Sequence, residues 1–236
     1  MPRMARAVLP GVPHHITQRG VRGSKVFLDR SDFESYRKLL RDSSKESGLS
    51  IHAYSLMTNH VHIVAIPERD TSIADTFQRC HGMYASRFNC KYGTSGHTWQ
   101  ARPFSCALDE AHLWTAVRYV ERNPVRARMI VRAEDYPWSS ARAHCGLAED
   151  DLLDPDWPPA DAILDWSAWL ANGYNIELEK SIRERTLTGR PCGDTDFVRS
   201  AEVALGRQLA PRKRGPKPNR PDSEDGALVW ATDENP

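Results

Sequence analysis

The chain has 236 residues, enough for one substantial core and a smaller appendage, and its 32 Lys+Arg against 31 Asp+Glu leave a formal net charge of +1 that selects no class of partner. Five scattered cysteines without a CxxC pair exclude a disulfide framework and a thiolate zinc site. A mean hydropathy of −0.59, with no long apolar run and no signal-peptide pattern, excludes a membrane partner and predicts a soluble, cytoplasmic protein.

Residues 13–19 ("PHHITQR") read as a first strand, broken by Gly20 and Gly23. In residues 29–48, Phe33, Tyr36, Leu39 and Leu40 recur at helical spacing; Asp29 or Ser31 is placed to cap that helix and Gly48 to stop it. "LSIHAYSLM" and "HVHIVAIP" follow as two strands joined by Thr58-Asn59, a hairpin signal weaker than Asn-Gly. Residues 71–92 predict a helix with Ile73, Phe77, Met83 or Tyr84, and Phe88 on its core face. "HTWQARPFSCAL" predicts a further strand, and Asp109 caps a third helix running to Asn123, where Pro124 ends it.

This order predicts an α+β fold, an antiparallel sheet with helices packed on it. Residues 1–147 would form the main domain and residues 148–210 a Trp- and Pro-rich helical appendage, with a short helix opened by Asp194 or Thr195. Residues 211–236 would be a disordered tail; within 207–220 the chain is basic, and from Asp222 it is acidic.

His60 and His62 project from the same face of their strand, roughly 7 Å apart along the backbone, so both imidazoles can converge on one cation. Val64 and Ile66 continue that face and Val61, Ile63 and Ala65 fill the other, as expected of a central strand covered on both sides. In the third helix, Leu113, Val117 and Val120 form the apolar stripe, while Tyr119 and Asn123 stand at i, i+4 on its margin. Two imidazoles, an amide oxygen and a phenol are a donor set suited to phosphoryl transfer: a cation stabilises charge on phosphate and a phenol serves as nucleophile. With no thiolate at hand, oxygen ligands favour Mg2+ or Mn2+. Tyr84, followed by Phe88, is the rival tyrosine and reads as core.

"NHVHIV", "WQARPFS", "RYVERNPVRA" and "DYPWSSARAH", in that order, resemble the single-tyrosine HUH transposases and, more narrowly, the REP-associated tyrosine transposases. The similarity spans residues 12–144, and the "LTGRPCG…FVRSAEVALGRQLAPRKRGPKP" stretch has the same character. The resemblance implies a ferredoxin-like sheet, with His60, His62 and Asn123 as metal ligands and Tyr119 as nucleophile. It implies a single-stranded DNA endonuclease and strand transferase acting on hairpin DNA of the REP-like palindromic kind. Cleavage would leave a 5′-phosphotyrosine link and a free 3′-OH. "VRARMIV" departs from the pattern, with Arg128-Met129 where a small residue and leucine are expected.

Arginine beside aromatic surface suits single strands, whose phosphates need cations and whose bases stack. Arg19, Arg22, Trp99, Arg102, Arg122 and Arg126 are therefore the expected DNA contacts, joined by Arg212, Lys213, Arg214 and Lys217 of the basic run. The protein is expected to associate with the nucleoid and to act as a monomer, with a dimer as the alternative. A catalytically inactive DNA-binding regulator on the same fold is the competing reading; the intact set His60, His62, Tyr119 and Asn123 argues against it.

Overall fold

β1 (His14–Arg19), α1 (Arg30–Ser47), β2 (Leu49–Met57), β3 (His60–Pro67), α2 (Ser72–Tyr92) and β4 (Phe104–Ala107) follow one another in the computed structural model, which describes residues 6–159, 162–172 and 175–209. The strands form one antiparallel sheet in the order β2-β3-β1-β4. Two interleaved β-α-β units in this order are the ferredoxin-like arrangement. The expected fold class is the observed one.

Local chemistry accounts for the boundaries. Asp29 caps α1 by accepting from the Asp32 amide, and Asp32 reaches back to complete a capping box. Gly48 ends the helix at φ 63, a left-handed conformation that a side chain would strain. The Thr58-Asn59 turn, weak as a local signal, is held from outside: the Thr58 carbonyl accepts from the Val26 and Phe27 amides and the Asn59 carbonyl from Gly20. Gly20 itself is needed for close approach, since a Cβ there would lie 2.2 Å from the Ser24 oxygen.

The alternation of β1 and β3 divides the core. Ile16, Val61, Ile63 and Ala65 face α1 and α2 and pack with Leu39, Leu40, Phe77 and Tyr84. Val64 faces the opposite side, in a second cluster with Ala116, Val117, Tyr119 and Val120 of α3 (Glu110–Glu121). On α2 the ambiguity of the stripe resolves in favour of Tyr84, with Met83 turned outward.

Two expectations need correction. The strand expected over residues 97–108 is confined to Phe104–Ala107; Pro103, which lacks an amide donor, directly precedes it, and Trp99 makes only an isolated bridge to Gly20. Nor does Pro124 end the helical path. α3 breaks at Arg122, and a one-turn helix α4 (Asn123–Arg126) restarts with Pro124 in its first turn, where a missing N–H leaves no acceptor unmet. Arg128 then adopts φ 57, the conformation for which a small residue would be the natural choice at this departure from the family pattern.

Beyond α4, α5 (Ala141–His144), α6 (Trp166–Ala171), α7 (Ile176–Thr188) and α8 (Thr195–Leu205) complete the described chain. Asp194 caps α8, whereas α7 lies outside the elements the sequence reading predicts. α7 packs on β4, β1 and α3, so part of the segment read as an appendage covers the same sheet face as α3. Residues 138–140 run along β2, with hydrogen bonds from Leu56 to Trp138 and from Ser140 to Tyr54 that cover its outer edge. The expected tail, 211–236, lies outside the described residues.

Burial dominates the histidines. It lowers His14, His52 and His60 to about 4 and His15 and His81 to about 3. These imidazoles take up protons in the unfolded chain below pH ~6.5 but stay neutral in the fold until about pH 4 or lower, so acid favours unfolding across that window. His112, raised to about 9 by Cys192 and Asp109, is protonated in both states there and leaves the sign unchanged. Urea titrations between pH 7 and 4.5 are expected to show stability falling, with an upper slope of ~1.4 kcal/mol per pH unit for each such histidine. A flat profile over that range would contradict these buried neutral rings.

Candidate active site

The β1–β3 register pairs Thr17 with His62 and Arg19 with His60. Directly paired residues share a face, so His15, Thr17, Arg19, His60 and His62 all project toward α3. The His60 and His62 ring centroids are 4.9 Å apart at 83°. His15 stacks on His62 at 5.2 Å and 12°, with its Nε2 3.0 Å from His62 Nδ1. From α3, Tyr119 presents its ring edge-on to both, 5.4 Å from His62 and 5.7 Å from His15.

α3 is pinned at its C-terminal end. The wholly buried Glu121 carboxyl group accepts from Ser140 Oγ, His144 Nδ1 and Trp166 Nε1. Those donors belong to the "PWSSARAH" stretch and to α6, so the motif holds the tyrosine helix at its angle to the sheet. Asn123, one turn past Tyr119, is buried, and its amide nitrogen has no hydrogen-bond partner. Since amide oxygen and nitrogen are assigned from the surrounding bonds, the observation is of a buried carboxamide with one unmatched polar end.

The imidazoles are neutral. Burial, helped by the charges of Arg19 and Arg126, lowers His60 to about 4; burial, then His15, His60 and Arg126, holds His62 well below its ordinary range. A neutral imidazole keeps one lone pair, which is what a metal needs. His60 Nδ1 lies 2.6 Å from the Asn59 Oδ1, a position that calls for an N–H, and His62 Nδ1 is engaged by His15. Each ring is thus left with Nε2 open, in the manner of metal-ligating histidines oriented by a partner on their other nitrogen. Among the described residues there is no cluster of three or more His, Cys, Asp or Glu able to hold an ion. His60 and His62 thus offer two neutral nitrogen donors side by side, and Asn123, one turn from Tyr119, carries the unmatched carboxamide end described above.

Arg126 closes the site. Its guanidinium lies 4.7 Å over the Tyr119 ring, with one nitrogen 3.4 Å from the hydroxyl and another 3.5 Å from the buried Glu179 carboxylate of α7. Arg19 is exposed at the rim beside His60, and Arg22 is exposed in the following turn. The strand carrying Arg19 is bridged to the loop that carries Arg102: Gln100 donates to the Arg19 carbonyl. Two expected DNA contacts are elsewhere. Trp99 is buried, stacked on His81 at 4.2 Å and flanked by Tyr36 and Tyr84, which leaves no ring face for a base. Arg122 donates to the carbonyls of Leu170 and Ala171, where it caps the end of α6. Arg212, Lys213, Arg214 and Lys217 lie outside the described residues. Tyr84 donates its hydroxyl to the Val26 carbonyl inside the α1–α2 core, on the sheet face opposite α3.

Sequence reasoning missed His15 and Glu179. "PHHITQR" reads as a strand, but only its placement beside β3 turns the second histidine into a neighbour of His62. Residues 13–123 match the family described as transposase, IS200-like. No curated protein matches the chain. A solved structure of a REP-associated tyrosine transposase bound to a REP hairpin shares the fold, with 21% identity and a TM-score of 0.50, over 65% of this chain and 94% of that one. A candidate transposase from Deinococcus radiodurans R1 aligns at 18% identity and a TM-score of 0.37, over 51% and 97% of the two chains. Residues 13–123, which hold His15, His60, His62, Tyr119 and Asn123, are thus the part of the chain that matches the IS200-like transposase family.

Proposed function

We propose that the protein is a metal-dependent single-stranded DNA endonuclease and strand transferase, with Tyr119 as nucleophile and hairpin DNA of the REP-like palindromic kind as substrate. The observation that carries this reading is the meeting of Tyr119, the His60–His62 pair and the Arg126 guanidinium at one place on the sheet. Mg2+ or Mn2+, held by His60, His62 and Asn123, would polarise the scissile phosphate.

The residues supply the rest. Tyr119 gives up its phenolic proton and its oxygen bonds to phosphorus; the bond to the 3′ oxygen breaks and that oxygen leaves as a 3′-OH after taking a proton. The product is a 5′-phosphotyrosine, which keeps the bond energy for rejoining by a 3′-OH. Arg126, now shared between Tyr119 and Glu179, can pass to the incoming phosphate, since a phosphate is a better bidentate partner than a carboxylate 3.5 Å away. That movement uncovers a tyrosine otherwise only 3% exposed. Arg19 and Arg22 line the approach as phosphate contacts, and Arg102 extends it.

Incubation with labelled single-stranded hairpin DNA and Mn2+ is expected to give a covalent adduct that disappears in Tyr119→Phe and persists in Tyr84→Phe. An adduct retained in Tyr119→Phe sinks the assignment, and binding without any adduct favours the inactive regulator. Arg126→Ala should slow adduct formation roughly 10- to 100-fold, the worth of one charge-assisted hydrogen bond (~1.5–3 kcal/mol); an unchanged rate would assign Arg126 to packing alone. Removal of residues 211–236 should weaken hairpin binding and flatten its salt dependence while leaving tyrosine attack intact. Equal affinities of the two forms at low and moderate salt would deny the basic run a role in binding.

A further inference from the structure

We infer that His15 and Thr186 fix the tautomer of His62, through a hydrogen-bond chain anchored on a main-chain carbonyl of α7. The inference rests on the reading of His62 as a metal ligand given above, and it concerns residues to which neither the sequence motifs nor the family match assigns a role.

The chain has three links. Thr186 Oγ1 lies 2.7 Å from the Ile182 carbonyl, His15 Nδ1 lies 2.7 Å from Thr186 Oγ1, and His15 Nε2 lies 3.0 Å from His62 Nδ1. Every member is buried. A carbonyl oxygen only accepts, so the single hydroxyl proton of Thr186 points to Ile182. Thr186 Oγ1 then accepts from His15 Nδ1–H. With its proton on Nδ1, the neutral His15 ring has a lone pair on Nε2, and His62 must supply the proton between them from its own Nδ1. His62 Nε2 is left as a lone pair.

The opposite polarity fails at the anchor. If Thr186 gave its proton to His15, two oxygens 2.7 Å apart would face each other at Ile182 without a hydrogen between them. His62 would carry its proton on Nε2, and a protonated nitrogen binds no cation. Cys106 Sγ, 3.1 Å from Thr186 Oγ1, fits the first polarity, because the hydroxyl oxygen has a second lone pair to accept its S–H. His15 and Thr186 are thus positioning residues: they touch no substrate and act through His62.

The register places His15 beside His62, and α7 brings Thr186 to it from sequence well beyond residue 123. His60 is set independently, by Asn59 on its own turn. The two histidines are therefore oriented from different parts of the chain, one locally and one through the C-terminal segment.

Long-range proton–nitrogen correlation spectra of the 15N-labelled full chain, without metal at pH 7.5, read each ring nitrogen directly. The expected spectrum has His62 and His15 both protonated at Nδ1. Thr186→Val keeps the shape but removes the acceptor; His62 is expected to shift toward the Nε2-protonated form, and Mn2+ affinity, measured by the spin resonance of the free ion, to fall about 10- to 100-fold. Thr186→Ser should restore both. A wild-type His62 protonated at Nε2 overturns the inference without any variant, as does a Thr186→Val protein with wild-type spectrum and affinity. The tautomer is read on metal-free protein, so it is decided whether or not Tyr119 forms an adduct with DNA.

Discussion

The register between β1 and β3 is the constraint on which the site depends. Opposing Thr17 to His62 sets His15 against His62 and Arg19 against His60, all on the face that α3 covers. A slip of one residue would turn His15 and Arg19 toward α1 and α2 and bring Ile16 and Gln18 to the site. The slip is opposed because Ile16 is locked between Ile63 and the α1–α2 core, and because the strand is paired on both edges. The apolar residues that build the sheet are thus the same ones that aim the polar residues of the site.

The second requirement is that α3 hold its angle over the sheet, and here a buried carboxyl group is used where apolar packing alone would leave the helix free to roll. Glu121 would destabilise the fold if its oxygens were unmatched. Ser140, His144 and Trp166 meet them from two segments far apart in sequence. Arg122, bonded to the end of α6, and Arg118, stacked over Trp169 at 4.1 Å, add to the same attachment. Residues that sequence reasoning would assign to phosphates therefore divide by position. Those on the α6 side fasten the helix, and Arg126, on the side of the imidazoles, lies over Tyr119.

How much of this was legible follows the range of the signals. The strand–helix order, the Asp29 and Gly48 boundaries and the HxH pair on one face are local patterns, and they read correctly. The placement of Tyr119 near the pair needed the helix face as well as the spacing, and both were present in the sequence. What local patterns do not carry is tertiary neighbourhood. Trp99 has the composition of a base-stacking residue, yet it fills the core against His81 because the loop folds back on β1 at Gly20. Thr186 and Glu179 sit on α7, a helix whose charged sequence shows little amphipathic contrast and whose partners lie far off in sequence, Arg126 at 53 residues and His15 at 171. His15 was visible as a letter but not as a neighbour.

The C-terminal segment is where this matters most. The family match ends at Asn123, and a reading confined to it would take the remainder as an accessory. Yet α7 contributes Thr186 behind His15 and Glu179 beside Arg126, and His15 and Arg126 both contact the Tyr119 ring. One contact reaches His62 through His15, and the other holds the guanidinium over the Tyr119 ring. Both lie on one face of a single helix, at positions seven apart and so two turns along it. A shift of α7 along its axis would therefore move the His15–His62 contact and the Arg126 cover of Tyr119 together, which makes the helix a structural part of the site that the sheet alone leaves incomplete.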